Sequence, residues 1–292
     1  MKPRRALSFA AEALTLFLFA YMLLSPGAAA QSVKTALAFC AQTLVPSLFV
    51  FIALADRIVS MRITALVARK TGAAFLLWLL GSLCGVPVGA VLANGLYSSG
   101  GISKRYAEYL LPFTNNAGVS FLLGCVGAQL FGNVSAGVKL ALCQLVSTAA
   151  TAFVLRFAMF GRARLPRPDA LPRANRPLYS SVTGAASGML AICACAVFFT
   201  AVAQTAVTLL GLSGAGESLL RSALEFSSGC ASAAALPHKT AFVLCAFACG
   251  QTGLSVAVQV RAVTGGRLSM RPYLAGKAIN GAVFMLLAFF IG

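Results

Sequence analysis

Long apolar runs, separated by short polar or basic segments, organise almost the whole chain. About 20 apolar residues are needed for a helix to cross the hydrocarbon layer of a bilayer, and about seven runs approach or exceed that length. Two more are interrupted by helix breakers. The pattern predicts an all-α, polytopic integral membrane protein with about seven transmembrane helices plus two re-entrant helical hairpins in an inverted repeat. The predicted transmembrane segments are 6–24, 47–59, 110–130, 134–160, 183–210, 240–260 and 273–291.

The two interrupted stretches are residues 71–97 and 212–236. The second is rich in glycine, serine and alanine and contains Glu217 and Glu225. A continuous transmembrane helix rarely tolerates so many breakers, whereas a hairpin that enters and leaves on one side requires a turn in its middle. We therefore predict a re-entrant hairpin in each stretch. The breakers of the first are Gly81, Gly85, Pro87, Gly89 and Gly95.

The N-terminal segment resembles a signal peptide. Lys2, Arg4 and Arg5 precede the first apolar run, and three alanines at 28–30 follow Pro26. Because the run is long enough to span a bilayer, we favour an uncleaved first helix and keep cleavage as the alternative. An amphipathic stretch at 33–44 is then predicted to end at Pro46.

An arginine- and proline-rich linker at 161–178 divides the chain near its middle. It is too polar for the hydrocarbon layer and too rich in proline for a helix. We predict four parts: an N-terminal transmembrane helix at 1–30, a first repeat at 31–160, this cytoplasmic linker, and a second, inverted repeat at 179–292. Paired broken helices in inverted repeats are typical of secondary transporters.

The charge distribution orients this arrangement. Lysine and arginine number 23 against 6 acidic residues, while 59% of all residues are hydrophobic and only 10% are charged. The basic residues do not form one face, so the sequence predicts no nucleic-acid partner. They follow the positive-inside rule when the N-terminus is cytoplasmic. Of the 23, only Lys34, Lys139, Arg221 and Lys239 then fall on the outer side, and Lys277 is counted with the inner ones.

The nine cysteines lie mostly within apolar runs and form no CxxC pair, and His238 is the single histidine. Buried cysteines of this kind are typical small packing residues between helices. The sequence therefore predicts no metal site and no cofactor. It also shows no HExxH motif, paired aspartates or Ser/His pair, so we expect no enzyme activity and no catalytic residue.

Polar residues within the predicted broken segments form the candidate site. Intramembrane polar groups must be satisfied by protein, ligand or a cavity. Glu225 is the strongest candidate, because a carboxylate inside a membrane needs a cation, a proton or a donor nearby. The alternative is an interfacial glutamate neutralised by Arg221, one helical turn earlier. The predicted substrate-binding residues are Gly85, Pro87, Gly89, Asn115, Asn116, Glu225, Ser227, Ser228, Gln251 and Thr252.

Four segments resemble the YlbJ/SpoVV-type sporulation integral membrane proteins, within the group that carries the nucleoside-recognition or Gate domain. These are VPSLF at 45–49, GVPVGA at 85–90, LLPFTNNAGVSFLLGCVGAQLFGN at 110–133 and LEFSSG at 224–229. The resemblance implies a fold related to concentrative nucleoside transporters. It also implies movement of dipicolinate across the outer forespore membrane during sporulation.

Together these observations predict a transporter or facilitator in a bacterial cell membrane. Its partners are the lipid bilayer and a small polar substrate, by preference an anionic one, and a homo-oligomer is left open. A nucleoside-type transporter and a non-transporting membrane scaffold or assembly factor are the alternatives.

Overall fold

The computed structural model describes residues 3–59, 61–162 and 177–292, and every regular element in these ranges is a helix. The predicted all-α, polytopic class is therefore confirmed. The helices are α1 Pro3–Leu24, α2 Pro26–Phe39, α3 Val45–Val59, α4 Arg62–Thr71, α5 Ala73–Cys84, α6 Val88–Ser98, α7 Lys104–Thr114, α8 Val134–Phe160, α9 Leu178–Leu210, α10 Gly214–Leu224, α11 Phe226–Ala233, α12 His238–Gln251, α13 Gly253–Val263 and α14 Met270–Ile291. Two π-helical segments, Cys40–Leu44 and Phe121–Leu130, complete the set.

The chain continues as a helix through Pro46, so the predicted end at that residue is wrong. The π-helical segment Cys40–Leu44 joins α2 directly to α3, and the Val45 amide donates to the Cys40 carbonyl, five residues back. A proline has no N–H to donate and crowds the preceding turn. The wider π turn just before Pro46 accommodates that defect, because the hydrogen-bond register shifts by one residue there.

Four helices are long and apolar enough to cross a membrane: Val134–Phe160, Leu178–Leu210, His238–Val263 and Met270–Ile291, the third being α12 and α13 together. A fifth crossing arises if the pair Thr15–Leu24 and Pro26–Leu44, bent by 103°, is counted as one. The other predicted crossings, 47–59 and 110–130, are built from shorter helices. The π-helical segment of the latter is itself only 10 residues long.

Both predicted hairpin stretches consist of two short helices that pack against each other. In the first stretch these are α5 and α6, joined through Gly85, Val86 and Pro87. In the second they are α10 and α11, separated at Glu225. The α10–α11 pair is antiparallel, because the Ser218 and Ser232 hydroxyls lie 3.0 Å apart at the end away from the turn.

Helix α8 buries polar side chains on one face and exposes apolar side chains on another. Gln144, Ser147, Thr148 and Thr151, spaced at three- and four-residue intervals, are fully buried. On another side of the same helix Phe153 is 65% exposed. An apolar outside and a polar inside suit a helix whose outer face meets lipid.

Helix α14 packs against α7 and α8 of the first half and against α12 of the second. Helix α9 packs against α2, α3 and α10. Most of the predicted linker, residues 163–176, lies outside the described residues. Helix α14 thus joins the two halves of the chain.

Candidate functional site

The first candidate region is a non-helical interruption at residues 115–118, which we call break 1. It lies between α7 and the π-helical segment Phe121–Leu130. Gly85, at the turn between α5 and α6, has a φ of +81°, which favours glycine. A Cβ there would lie 2.9 Å from the Gly118 nitrogen. Glycine at 85 thus allows the hairpin turn to touch the backbone of break 1.

Two asparagines fasten the hairpin to break 1. The Ala90 amide, in the first turn of α6, donates to Asn115 Oδ1 at 2.8 Å. Asn116 Nδ2 donates to the Phe113 carbonyl at 2.7 Å and to Ser82 Oγ of α5 at 3.3 Å. Both asparagines are fully buried, so their amides are engaged within the protein in this closed arrangement.

The second candidate region is Glu225, between α10 and α11. Its carboxylate caps α11 by accepting from the Ser228 amide at 2.7 Å and the Ser227 amide at 3.2 Å. The Ser227 hydroxyl donates to it at 2.6 Å. Glu225 is only 2% exposed. A carboxylate at a helix N-terminus is stabilised both by these donors and by the helix dipole.

The guanidinium of Arg221 does not pair with the Glu225 carboxylate. Its Nε donates to Glu217 at 2.8 Å, a salt bridge within α10, and its Nη2 donates to Gln204 of α9 at 2.5 Å. The interfacial Glu225–Arg221 pair considered from the sequence is therefore replaced by an Arg221–Glu217 pair. The negative charge of Glu225 is met by serine donors and backbone amides instead.

A second break, residues 251–253, divides α12 from α13, and we call it break 2. Thr252 has a φ of +62° and Gly253 a φ of +76°. Gln251 spans the gap to the hairpin: its Nε2 donates to the Ser222 carbonyl and its Oε1 accepts from the Gly253 amide at 3.1 Å. The predicted continuous span 240–260 is thus interrupted where it meets the turn of the second hairpin.

The two hairpins approach from opposite ends of the α12–α13 unit. The far end of α6 is held to the end of α13, because Asn94 Nδ2 donates to the Val263 carbonyl at 3.0 Å. The far end of α11 instead leads into His238, where α12 begins. Inside the protein, Phe121, which begins the π-helical segment after break 1, packs against Phe226, the first residue of α11, with the ring centroids 5.1 Å apart.

Helix α14 supplies polar residues that sequence reasoning missed. Lys277 was assigned to the inner-side charges, yet it is 3% exposed. Its ammonium donates to the Asn115 carbonyl and to Asn116 Oδ1 at 3.3 Å. Asn280 Nδ2, one turn later, donates to the Gly250 carbonyl at 2.9 Å. The signal available in the sequence was a lysine and an asparagine three residues apart within an apolar segment.

Sequence reasoning also missed the buried polar residues of α8. Gln144 Nε2 donates to the Ala117 carbonyl of break 1 at 2.7 Å, while its Oε1 is buried with no hydrogen-bond partner among the described residues. A buried acceptor without a partner is energetically costly. The signal available in the sequence was the spacing of Gln144, Thr148 and Thr151, four and then three residues apart, which places them on one face of a helix.

A cavity of about 730 Å³ lies beside the second hairpin. Its walls come from α2, α9, α10 and α11, with hydroxyls and amides that include Thr35, Gln204 and Ser228 and with the Arg221–Glu217 pair. Of the predicted site residues, Ser228 alone lines this cavity. Gly85, Pro87, Gly89, Asn115 and Asn116 gather around break 1, and Glu225, Ser227, Gln251 and Thr252 around break 2.

The cysteines are free thiols throughout the described residues. Cys230 and Cys249 approach with their sulfurs 3.6 Å apart, and both are fully buried. Among the described residues no group of three or more histidine, cysteine or acidic side chains is arranged to hold a metal ion.

The chain is similar to the sporulation integral membrane protein YlbJ of Bacillus subtilis strain 168, with 29% identity over 152 residues. The match covers 48% of this chain and only 37% of the length of YlbJ. No known family model matches, and no solved structure matches. The similarity supports the YlbJ-like family relationship predicted from the motifs. The chain is therefore a membrane protein related to a sporulation integral membrane protein.

Proposed function

We propose that this protein is a transporter or facilitator that moves a small polar metabolite, by preference an anionic one, across a bacterial membrane. The observation that carries the proposal is that two helical hairpins approach from opposite ends of α12–α13. The turn of each hairpin contacts a break in a helix inside the protein. Discontinuous helices that converge near the middle of the bilayer are the general form of a transporter substrate site.

The polar groups of the two breaks and of the second hairpin turn support this function. Helix N-termini that point into a membrane interior favour anions, and here they are covered by the protein's own oxygens. Asn115 covers the start of α6, Glu225 that of α11, and Gln251 that of α13. We interpret the structure as a closed form in which a substrate oxygen would exchange with one of these side chains.

The cavity beside the second hairpin supplies a route to that exchange. It reaches Ser228, whose amide is bound by Glu225. Under the cytoplasmic orientation predicted for the N-terminus, Arg221 and therefore the cavity face the outer side. A solute in this cavity would meet the first turn of α11 once Glu225 moves, and no enzymatic step is required.

Uptake into proteoliposomes tests the proposal. The panel contains dipicolinate, which the family resemblance implies, and a purine nucleoside as the neutral alternative, each with and without a proton or sodium gradient. We expect Glu225→Gln to reduce uptake of the transported solute about tenfold or more, since a lost charge-assisted hydrogen bond is worth roughly 1.5–3 kcal/mol. Glu108→Gln, which alters a half-buried carboxylate that accepts from the Ser269 amide and lines neither the cavity nor a break, serves as the control.

Normal uptake by Glu225→Gln would remove the second hairpin from the site. Absence of uptake for every solute by wild-type protein of intact fold would instead favour a membrane scaffold or assembly factor. The scaffold function also predicts that substitutions at Asn116 and Glu225 are tolerated while those in the basic inner loops are not.

A further inference from the structure

Lys277 is a buried cation without a buried anion beside it. It lies in the apolar helix α14, and none of the described carboxylates comes within salt-bridge distance of its ammonium. Its oxygen ligands are the Asn115 carbonyl and the Asn116 side-chain oxygen. The Tyr273 ring, one turn earlier, has its centroid 6.0 Å from the ammonium nitrogen. A buried lysine with only neutral ligands is expensive, so its position calls for an explanation.

The ligands of Lys277 mark the C-terminal end of a half-helix. Asn115 is the C-cap of α7, and the backbone leaves the helical conformation there. The last carbonyls of a helix lack intrahelical donors and carry the negative end of the helix dipole. Oxygens at such an end, inside a broken transmembrane helix, are the ligands that transporters offer to a coupling cation.

Helix α14 is held so that the ammonium reaches these oxygens. A Cβ on Gly276 would lie 2.4 Å from Pro112 Cβ, so α14 touches α7 where any larger residue would push it away. One turn further along the same face, Asn280 Nδ2 donates to the Gly250 carbonyl of α12. These two contacts, one just before Lys277 and one just after it, fix this part of α14, and the Lys277 ammonium reaches the end of α7.

From this geometry we propose that the ammonium of Lys277 is a built-in cation that fills the ion site at break 1, in place of a free sodium ion. Whether Lys277 occupies this ion site can be tested on the folded protein without any transport assay. The consequence for transport, independence from a sodium gradient, rests on the proposed function.

The test measures cation binding by thermal unfolding of detergent-purified protein, at constant ionic strength in choline chloride. Lys277→Ala removes three methylene groups and the ammonium, so n-propylammonium is the matched probe, n-propanol its uncharged equivalent and sodium the coupling-type ion. Lys277→Met fills the space without a charge. Lys139→Ala is the control for loss of a lysine that also donates to a carbonyl at a helix end, at Ile291, but is exposed.

We expect n-propylammonium and sodium to raise the Tm of Lys277→Ala saturably, by about 3 °C or more at a tenfold excess over Kd. The same ions should leave wild type, Lys277→Met and Lys139→Ala unchanged. An equal response to n-propanol would reveal only an apolar hole and overturn the inference. So would a folded Lys277→Ala that ignores both cations.

Wild-type protein provides a second measurement if Lys277→Ala does not fold. A saturable rise of its Tm with sodium would show that the ion site is open and would contradict the proposal, whereas a flat response agrees with it. These results are independent of solute uptake, so a failed transport assay and a failed cation site are separately recognisable.

Discussion

Break 1 and the turn of the second hairpin each place a charged side chain at a helix end, but the two charges are opposite. At break 1 a half-helix ends, and the ammonium of Lys277 binds its terminal oxygens. At the second hairpin a half-helix begins, and the carboxylate of Glu225 binds its first amides. Each charge lies at the helix end that stabilises its sign. Among the described residues, the two buried charged side chains are thus each met by a helix end rather than by a partner of opposite sign.

The comparison extends to the way each hairpin is fastened. At break 1 the hairpin turn touches backbone through glycines and is held by fully buried asparagines. At break 2 Gly253 also touches the hairpin backbone, since a Cβ there would lie 3.0 Å from the Ser222 carbonyl oxygen, but the side-chain link is Gln251, which is partly exposed. The second hairpin also borders the cavity, through Ser228. We infer that the first hairpin is the fixed element and the second the element that moves.

The largest effect should come from a substitution that forces the first hairpin away from α7. A Cβ on Gly81 would lie 1.8 Å from the Thr114 carbonyl oxygen, so Gly81→Ala must push α5 away from the end of α7. We expect destabilisation of about 3 kcal/mol or loss of folded protein, measured by thermal unfolding and size-exclusion chromatography in detergent.

Gly95→Ala is the matched control, because Gly95 lies within α6 with nothing within 4 Å of its added Cβ. It should be neutral or stabilise by roughly 0.5–1 kcal/mol, since alanine favours a helix over glycine. Similar loss from both substitutions would mean that the contact with Thr114 is not what fixes this hairpin.

A smaller effect should separate the two amide links. Asn115→Ala leaves the buried Ala90 amide without its acceptor and should cost about 2 kcal/mol. Gln251→Ala should cost roughly 1 kcal/mol, because water reaches a partly exposed site more readily. Chemical denaturation measures both, with Asn133→Ala, which removes an exposed helix cap, as the reference. The reverse order would exchange the fixed and moving hairpins.

The smallest effect should come from Glu217→Gln. The Arg221–Glu217 pair is partly exposed, and such pairs contribute roughly 0.5 kcal/mol and weaken with salt. We expect a loss of that size that disappears at high ionic strength. A larger, salt-independent loss would show that Arg221 also supports Glu225, and the charges of Lys277 and Glu225 would then no longer be held in the same way.

Much of this arrangement was readable because helix breakers in an apolar segment have few uses. The glycines and Pro87 predicted the first hairpin stretch, and Glu225 stood out as a carboxylate in the second. Hydropathy did not predict the interruptions at 115–118 and 252, since the flanking residues keep the average apolar. Their cause is tertiary: each break is matched to a hairpin turn distant in sequence.

Lys277 was counted with the inner-side charges because the last span was predicted to start at residue 273, which placed the lysine close to the cytoplasmic start of that span. The helix begins at Met270, about two turns before Lys277. Its oxygen ligands lie more than 160 residues earlier in the chain. Pro46 was misjudged for a local reason, because a π turn that absorbs a proline has no distinct sequence pattern.

The burial of the thiols has a practical consequence for determining sidedness. Seven of the nine cysteines are buried, and the two on α9, Cys193 and Cys195, are partly covered. A water-borne maleimide should therefore find few native targets in intact membranes. Single cysteines can be introduced at the ends of the hairpins away from their turns, for example in place of Ser99 and Gly216, and labelled with little background. The labelling then shows directly from which side of the membrane each hairpin starts.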